Sequence, residues 1–274
     1  MNLLSIIVFI FGIAYIYLSF IQKNDENFEG LLIKKCVTTD AIFDDFYVFL
    51  LDDLFYKEEF YTKFCRIILY YTNNVYNNHL CIGIKHGGHI NELLKNNMKI
   101  TTIANSTSIV DLCRYNYTDN KYNYVDNYET NSYIFNENEF THISLIDNEI
   151  YYTKNLNGMI YNISKWISNR GYLFIDVYDN MNDLKNQLKN TNNGEFIKLN
   201  YKYSDEIKNI SNNRFYFIEN IKIKNEEKTN YHEMTFYSID YIKSIALHAG
   251  LTFTKYYDNI SSVKGRGVIV FQKV

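Results

Sequence analysis

Four short apolar runs alternate with stretches of helical periodicity, and that alternation restricts the chain to one fold class. The runs cover residues 79–84, 100–104, 140–146 and 172–178. Between them lie a helical stretch through Leu94, a second that Ser106 or Thr107 caps and that runs past Leu112, and a third over 158–167. The pattern continues over 238–250, where Ile239, Ile242, Ile245 and Ala246 share one face and a glycine closes the helix. Residues 251–257 and 268–271 read as closing strands. Strands alternating with helices predict an α/β domain whose mostly parallel sheet is covered on both faces.

The flanking sequence is less regular. Residues 40–71 are rich in aromatics with acids between them. Phe43, Phe46, Tyr47, Leu50 and Leu54 follow i, i+3, i+4, i+7, i+11 spacing, so one or two amphipathic helices are expected there, packed over the core. Residues 115–139 carry no assignable pattern, 180–193 read as polar low complexity, and 215–224 and 232–237 as exposed strands.

Residues 3–21 contain no charged side chain. At 1.5 Å rise per residue such a run reaches about 28 Å as a helix, close to the hydrocarbon thickness of a bilayer. No basic residue precedes it, and Ser19-Phe20-Ile21 lacks the small side chains of a cleavage site. The chain therefore divides into a single-pass anchor at 1–24, a polar connector at 25–39 and one domain at 40–274. Lys23, Lys34 and Lys35 follow the run, which places the body on the cytoplasmic side or in a virion interior. Net charge is −3 and the isoelectric point near 6.1, so no general nucleic-acid partner is expected. Cys36, Cys65, Cys81 and Cys113 lack metal-binding spacing, and Cys65 and Cys81 sit in apolar stretches as buried thiols of a reducing compartment. The absence of proline and the abundance of Tyr, Asn, Ile and Lys point to an AT-biased genome, not to a structural demand.

Four segments in order carry a family likeness. Leu80-Cys-Ile-Gly-Ile-Lys-His-Gly87 resembles the first motif of class I S-adenosylmethionine-dependent methyltransferases, L-D-x-G-x-G-x-G. Residues 140–146 with Glu149-Ile-Tyr-Tyr152 resemble the fourth-strand motif. Residues 165–176 resemble the entry to the fifth strand, and 234–251 the late strand and helix that end in A-G-F. Asp44-Asp-Phe-Tyr47, Asp53-Leu-Phe-Tyr56, Phe140-Thr-His-Ile143 and the terminal anchor look like membrane-anchored methyltransferase-like proteins of large nucleocytoplasmic DNA viruses. The resemblance implies a Rossmann-like class I methyltransferase fold with a seven-stranded sheet, S-adenosylmethionine as cofactor, and viral structural proteins as partners.

It also implies where the cofactor would sit, and several positions depart from the pattern. Gly83 and Gly87 keep two glycines of the turn, where backbone must approach the ligand closely. Lys85 replaces the third, adding a cation beside a cationic sulfonium ligand. Cys81 stands where family members carry an acid. Ala104, with Asn105 next, stands where a carboxylate takes both ribose hydroxyls. Asn105, Asp126 near the adenine loop and Asp147 after the fourth strand are candidate compensations. His142 and Glu149 are candidate bases by position. His86 and His89 are spaced i, i+3 without a third ligand, so no metal is expected. The expectation is a degenerate cofactor site on a scaffold or interaction protein. An active methyltransferase on an unknown acceptor, or an unrelated α/β binding domain, are the alternatives.

Overall fold

The computed structural model describes residues 33–55, 58–72, 77–83, 85, 87–116, 121–124, 128–189, 194–196, 201–223, 226–260 and 264–274. The expected anchor at 3–21, Asp126 and His86 lie outside these residues. Among the described residues no helix is long and apolar enough to cross a membrane.

The chain enters with β1 (Ile33–Thr38), followed by α1 (Asp45–Phe55) and α2 (Glu58–Tyr70). Next come β2 (Asn78–Ile82), α3 (Ile90–Lys95), β3 (Lys99–Ala104), α4 (Thr107–Asn116), β4 (Lys121–Tyr124) and β5 (Phe140–Leu145). Then follow α5 (Glu149–Tyr152), α6 (Leu156–Trp166), β6 (Ile167–Tyr178) and α7 (Met181–Lys189). The strands β7 (Gly194–Phe196), β8 (Tyr201–Asn209), β9 (Arg214–Ile223) and β10 (Glu226–Thr235) precede α8 (Ile239–His248), β11 (Leu251–Tyr257) and β12 (Arg266–Lys273).

The main sheet has seven strands in the order β11-β12-β6-β5-β2-β3-β4. Its pairs from β6 to β4 are parallel, and β12 and β11 are added antiparallel. The expected doubly wound sheet is thus present. β2, β3, β5, β6 and β12 are largely buried on both faces because successive side chains alternate between two cores. Cys81, Phe174, Val268 and Val270 face one core with residues of α1 to α4. Leu80, Ile82, Leu173, Ile175, Ile269 and Phe271 face the other, with α6 and α8. In α6, Leu156, Met159, Ile160, Ile163 and Trp166 recur at helical spacing and are buried. Trp166 is fully covered, and its Nε1 donates to Ser132 O at 2.8 Å. As expected, Ser106 caps α4, its Oγ accepting from Ile109 N at 3.3 Å.

Three sequence expectations change. The stretch 25–39, read as connector, contains β1, which pairs parallel with β10 in a second sheet of order β1-β10-β9-β8-β7. The strands expected to be exposed belong to this sheet and are half-buried. In β10 every second residue from Lys228 to Met234 is covered, which is the alternation of a sheet packed on one face. Residues 181–189, read as low complexity, form α7. Its apolar contribution is Leu184 and Leu188, one turn apart, and Asn180 Oδ1 accepts from Asn182 N and Asp183 N at its start. Arg170, at φ +63°, lies at a break in register within β6.

Candidate functional site

The parallel strands β2, β3, β5 and β6 end on one side of the sheet, and in such sheets ligands bind outside these carboxyl ends. β2 delivers Gly83 and Lys85, β3 delivers Ala104 and Asn105, β5 leads to Asp147 and Glu149, and β6 ends beyond Asp176. Adjacent strands bring these together although they are far apart in sequence.

Gly83 has φ +80°, a left-handed conformation that favours glycine. A Cβ built there would collide with Cβ and Cγ of Glu149 and lie 2.6 Å from its Oε2. The glycine turn is therefore approached closely by a carboxylate of the protein itself. Glu149 is buried and accepts a hydrogen bond from the Tyr128 hydroxyl. We expect Gly83→Ala to lose about 1–2 kcal/mol from the backbone alone, and more if Glu149 must move; urea unfolding at neutral pH measures this.

Asp147 and Asn148 both have positive φ, 57° and 65°. This tight turn aims the Asp147 groups in two directions. Oδ1 accepts from the Tyr61 hydroxyl at 2.6 Å, tying in α2, while Oδ2 accepts from Lys85 N at 3.2 Å. The Asp147 carbonyl oxygen takes the Lys85 ammonium at 2.8 Å.

Lys85 is accordingly buried, not solvated. Its Nζ lies 3.9 Å from the Tyr152 ring centroid and 5.6 Å from that of Phe43. Burial lowers its pKa, and the nearby carboxylates of Glu149, Asp147, Glu219 and Asp176 oppose that shift without cancelling it. Two cavities meet at this side chain. One is lined by Gly83, Ala104, Asn105, Ile109 and Glu149, the other by Tyr47, Tyr61, Asp147, Gln187, Phe217 and Arg266, among others. Lys85, Phe43 and Tyr152 line both. In the first, the space open to the centre of a water molecule is about 10 Å³, and in the second about 40 Å³. The first has the room of about one water.

Behind Tyr152 stands a buried polar network from the second sheet. Tyr152 Oη and His232 Nδ1 are 3.0 Å apart, and His232 Nε2 and Glu219 Oε2 are 2.5 Å apart. Tyr47 also donates to Glu219 Oε2, and Tyr203 donates to Oε1 at 2.8 Å. Burial alone would raise the Glu219 pKa, but His232 and these hydrogen bonds hold it below the ordinary value. At the floor of the second cavity Arg266 pairs with Asp176 through both ends, Nε to Oδ1 at 3.0 Å and Nη2 to Oδ2 at 2.6 Å. Its guanidinium also lies 3.4 Å from the Phe60 ring centroid.

Of the residues singled out from sequence, Gly83, Lys85, Ala104, Asn105, Asp147 and Glu149 converge on this cleft. Gly87, at φ +69°, sits in the turn that opens α3 and lines neither cavity. His142 is elsewhere: it stacks on Phe174 within the core, Nε2 is 3.2 Å from Tyr71 O, and burial pushes its pKa down to about 4. Cys81 is buried with its Sγ 3.4 Å from His89 Nε2, and burial raises its pKa. His89 is a core residue stacked on Tyr61. Among the described residues no three His, Cys, Asp or Glu side chains are grouped to hold a metal. Phe43, Tyr47, Glu219, His232 and Arg266 were not foreseen as site residues. The aromatic spacing at 43–54 signalled core, and Glu219 and His232 carry only the strand alternation.

No family model and no curated protein matches the chain. Solved structures do. An S-adenosylmethionine-dependent methyltransferase from Clostridium acetobutylicum superposes with TM-score 0.64 at 13% identity, over 83% of this chain and 98% of that one. DesVI of Streptomyces venezuelae gives 0.61 at 12%, over 84% and 99%. CalS10 from Micromonospora echinaspora, an amino pentose methyltransferase with S-adenosylmethionine bound, gives 0.54 at 10%, over 78% and 90%. The chain shares the fold of these methyltransferases.

Proposed function

We propose that this is a membrane-tethered protein that keeps the methyltransferase fold as a scaffold, with a cofactor cleft filled by its own side chains. The observation that carries this reading is the position of the Lys85 ammonium. It rests against the Tyr152 ring and the Asp147 carbonyl, between the two cavities a methyl group would have to connect. Methyl transfer requires nucleophile and methyl group in line and in contact, and a buried side chain on that path separates them. As they stand, the residues of the glycine-turn cavity do not fit a nucleoside. Glu149 covers Gly83, the remaining space is about 10 Å³, and Ala104 offers no carboxylate to a ribose. Lys85 also opposes a sulfonium by charge. A hydrogen bond to a charged group contributes about 1.5–3 kcal/mol, so losing a bidentate acid at position 104 weakens binding by about 3 kcal/mol, roughly a hundredfold.

The apolar run at 3–21 supports the tether, and the likeness of residues 44–56 and 140–152 to viral methyltransferase-like proteins supports a role in a viral membrane or virion. A cytoplasmic or virion-interior body follows from the lysines after the run. The test is calorimetry on the full-length chain in detergent, titrated with S-adenosylhomocysteine. Wild type is expected to show no binding at micromolar concentrations. Lys85→Gly combined with Ala104→Asp is expected to gain roughly a hundredfold in affinity, since both the blocking cation and the missing acid are corrected. Micromolar binding by wild type would defeat the scaffold reading and favour an active methyltransferase.

A further inference from the structure

We infer that the larger cavity is a receptor for a small alkylammonium cation, with Lys85 as its resident surrogate. The walls have the chemistry of such a receptor. Phe43, Tyr47, Tyr152 and Phe217 present aromatic rings to one space of about 40 Å³, and the Asp147 turn closes one side. Phe43 packs edge-on to Tyr152 with centroids 6.4 Å apart, and tilted to Tyr47 at 5.7 Å. An ammonium over such faces is attracted by the ring quadrupole, the more strongly once desolvated. That a cation is accepted there is visible in the molecule, because Lys85 places its own ammonium 3.9 Å from the Tyr152 centroid.

Charge complements the rings. Glu149, Asp147, Glu219 and Asp176 all act on Lys85 in the direction that favours a positive charge. Glu219 is fixed behind the wall by His232, Tyr47 and Tyr203, and His232 in turn contacts the Tyr152 hydroxyl. A space of about 40 Å³ for water centres matches about three waters, the bulk of a trimethylammonium group. Removing the Lys85 ammonium takes the cation from beside Asp147 and Glu149, while Asp176 keeps Arg266 and Glu219 keeps His232. The ligand class is therefore an alkylated amine, free or carried on a side chain of a partner. This inference goes beyond the scaffold reading and does not need it.

The probe is choline, with 3,3-dimethylbutan-1-ol as a neutral probe of the same shape, titrated by calorimetry into the full-length chain in detergent. Lys85→Ala is expected to bind choline at least tenfold more tightly than wild type does. The neutral probe should show no such gain, and adding Tyr152→Leu should abolish it. If Lys85→Ala is unstable, choline but not the neutral probe is expected to raise its melting temperature with concentration, because only the folded cage binds. Equal binding or equal thermal response for charged and neutral probes overturns the inference, as does a choline gain that survives Tyr152→Leu. S-adenosylhomocysteine titrated into the same wild-type sample tests the scaffold reading separately, so either proposal can fail alone.

Discussion

Arg266→Met is expected to cost the fold about 3–5 kcal/mol, because it strands the Asp176 carboxylate in the interior. Asp176 is 1% exposed and Arg266 5%, and their two hydrogen bonds join the end of β6 to the start of β12 across the floor of the larger cavity. Burial disfavours the guanidinium charge, and Asp176 more than offsets it, so the arginine pKa is raised. For a domain of this size such a loss lowers the melting temperature by roughly 10 °C. Replacing both partners, Asp176→Leu with Arg266→Met, should recover most of it, since the desolvation cost disappears with the charges. Thermal unfolding of the two variants checks this. A single variant as stable as wild type would mean that the pair contributes nothing to closing the sheet.

The second large effect concerns Glu219. Glu219→Ala removes the acceptor shared by His232, Tyr47 and Tyr203, so three buried groups each lose a hydrogen bond at once, about 3–5 kcal/mol in total. The same carboxylate sets an acid limb. Its folded pKa is depressed below the ordinary value of 4.5, chiefly by His232 against the opposing effect of burial. A depressed acid contributes stability that is fully present above its unfolded pKa and is lost as pH falls through the folded value. Wild-type stability should therefore fall below about pH 4.5, and Glu219→Gln should be less stable at neutral pH but flatter across that acid range. Urea midpoints between pH 3 and 7, on the order of six points, resolve the difference. Parallel acid limbs for the two proteins would contradict a charged Glu219.

Both effects arise in parts of the molecule that sequence periodicity does not reveal. Much of the main sheet was legible because β2, β3, β5 and β6 are largely covered on two faces and so read as mainly apolar runs. Residues 79–82 and 172–178 are the plainest cases. The second sheet was legible in part: 215–224 and 232–237 read as strands, but nothing local signalled their partners β1, β7 and β8. β1 carries Lys34 and Lys35 and reads as a polar linker until β10 is placed beside it. α7 has two apolar residues that meet the core, too few to outweigh its asparagines and lysines.

The cleft divides in the same way. Gly83, Lys85, Ala104, Asn105 and Asp147 were found through the resemblance to the methyltransferase motifs, at or just after the ends of apolar runs. Glu149 follows from its place after β5. Tyr47, Glu219, His232 and Arg266 meet partners 90 to 185 residues away, and no local pattern signals such a contact. Lys85 itself was read as a missing glycine beside a cationic ligand. Its larger consequence, an ammonium lodged between Tyr152 and Asp147, depends on a turn with two successive left-handed residues that only the fold displays.

The central claim is that the chain's own lysine holds the place across which a cofactor would act. A structure of the full-length protein determined in millimolar S-adenosylhomocysteine tests it most directly. Lys85 should remain stacked on Tyr152, bonded to the Asp147 carbonyl, with no nucleoside above Gly83. A nucleoside seated at Gly83, with the Lys85 side chain swung out and a carboxylate on its ribose, would contradict the account.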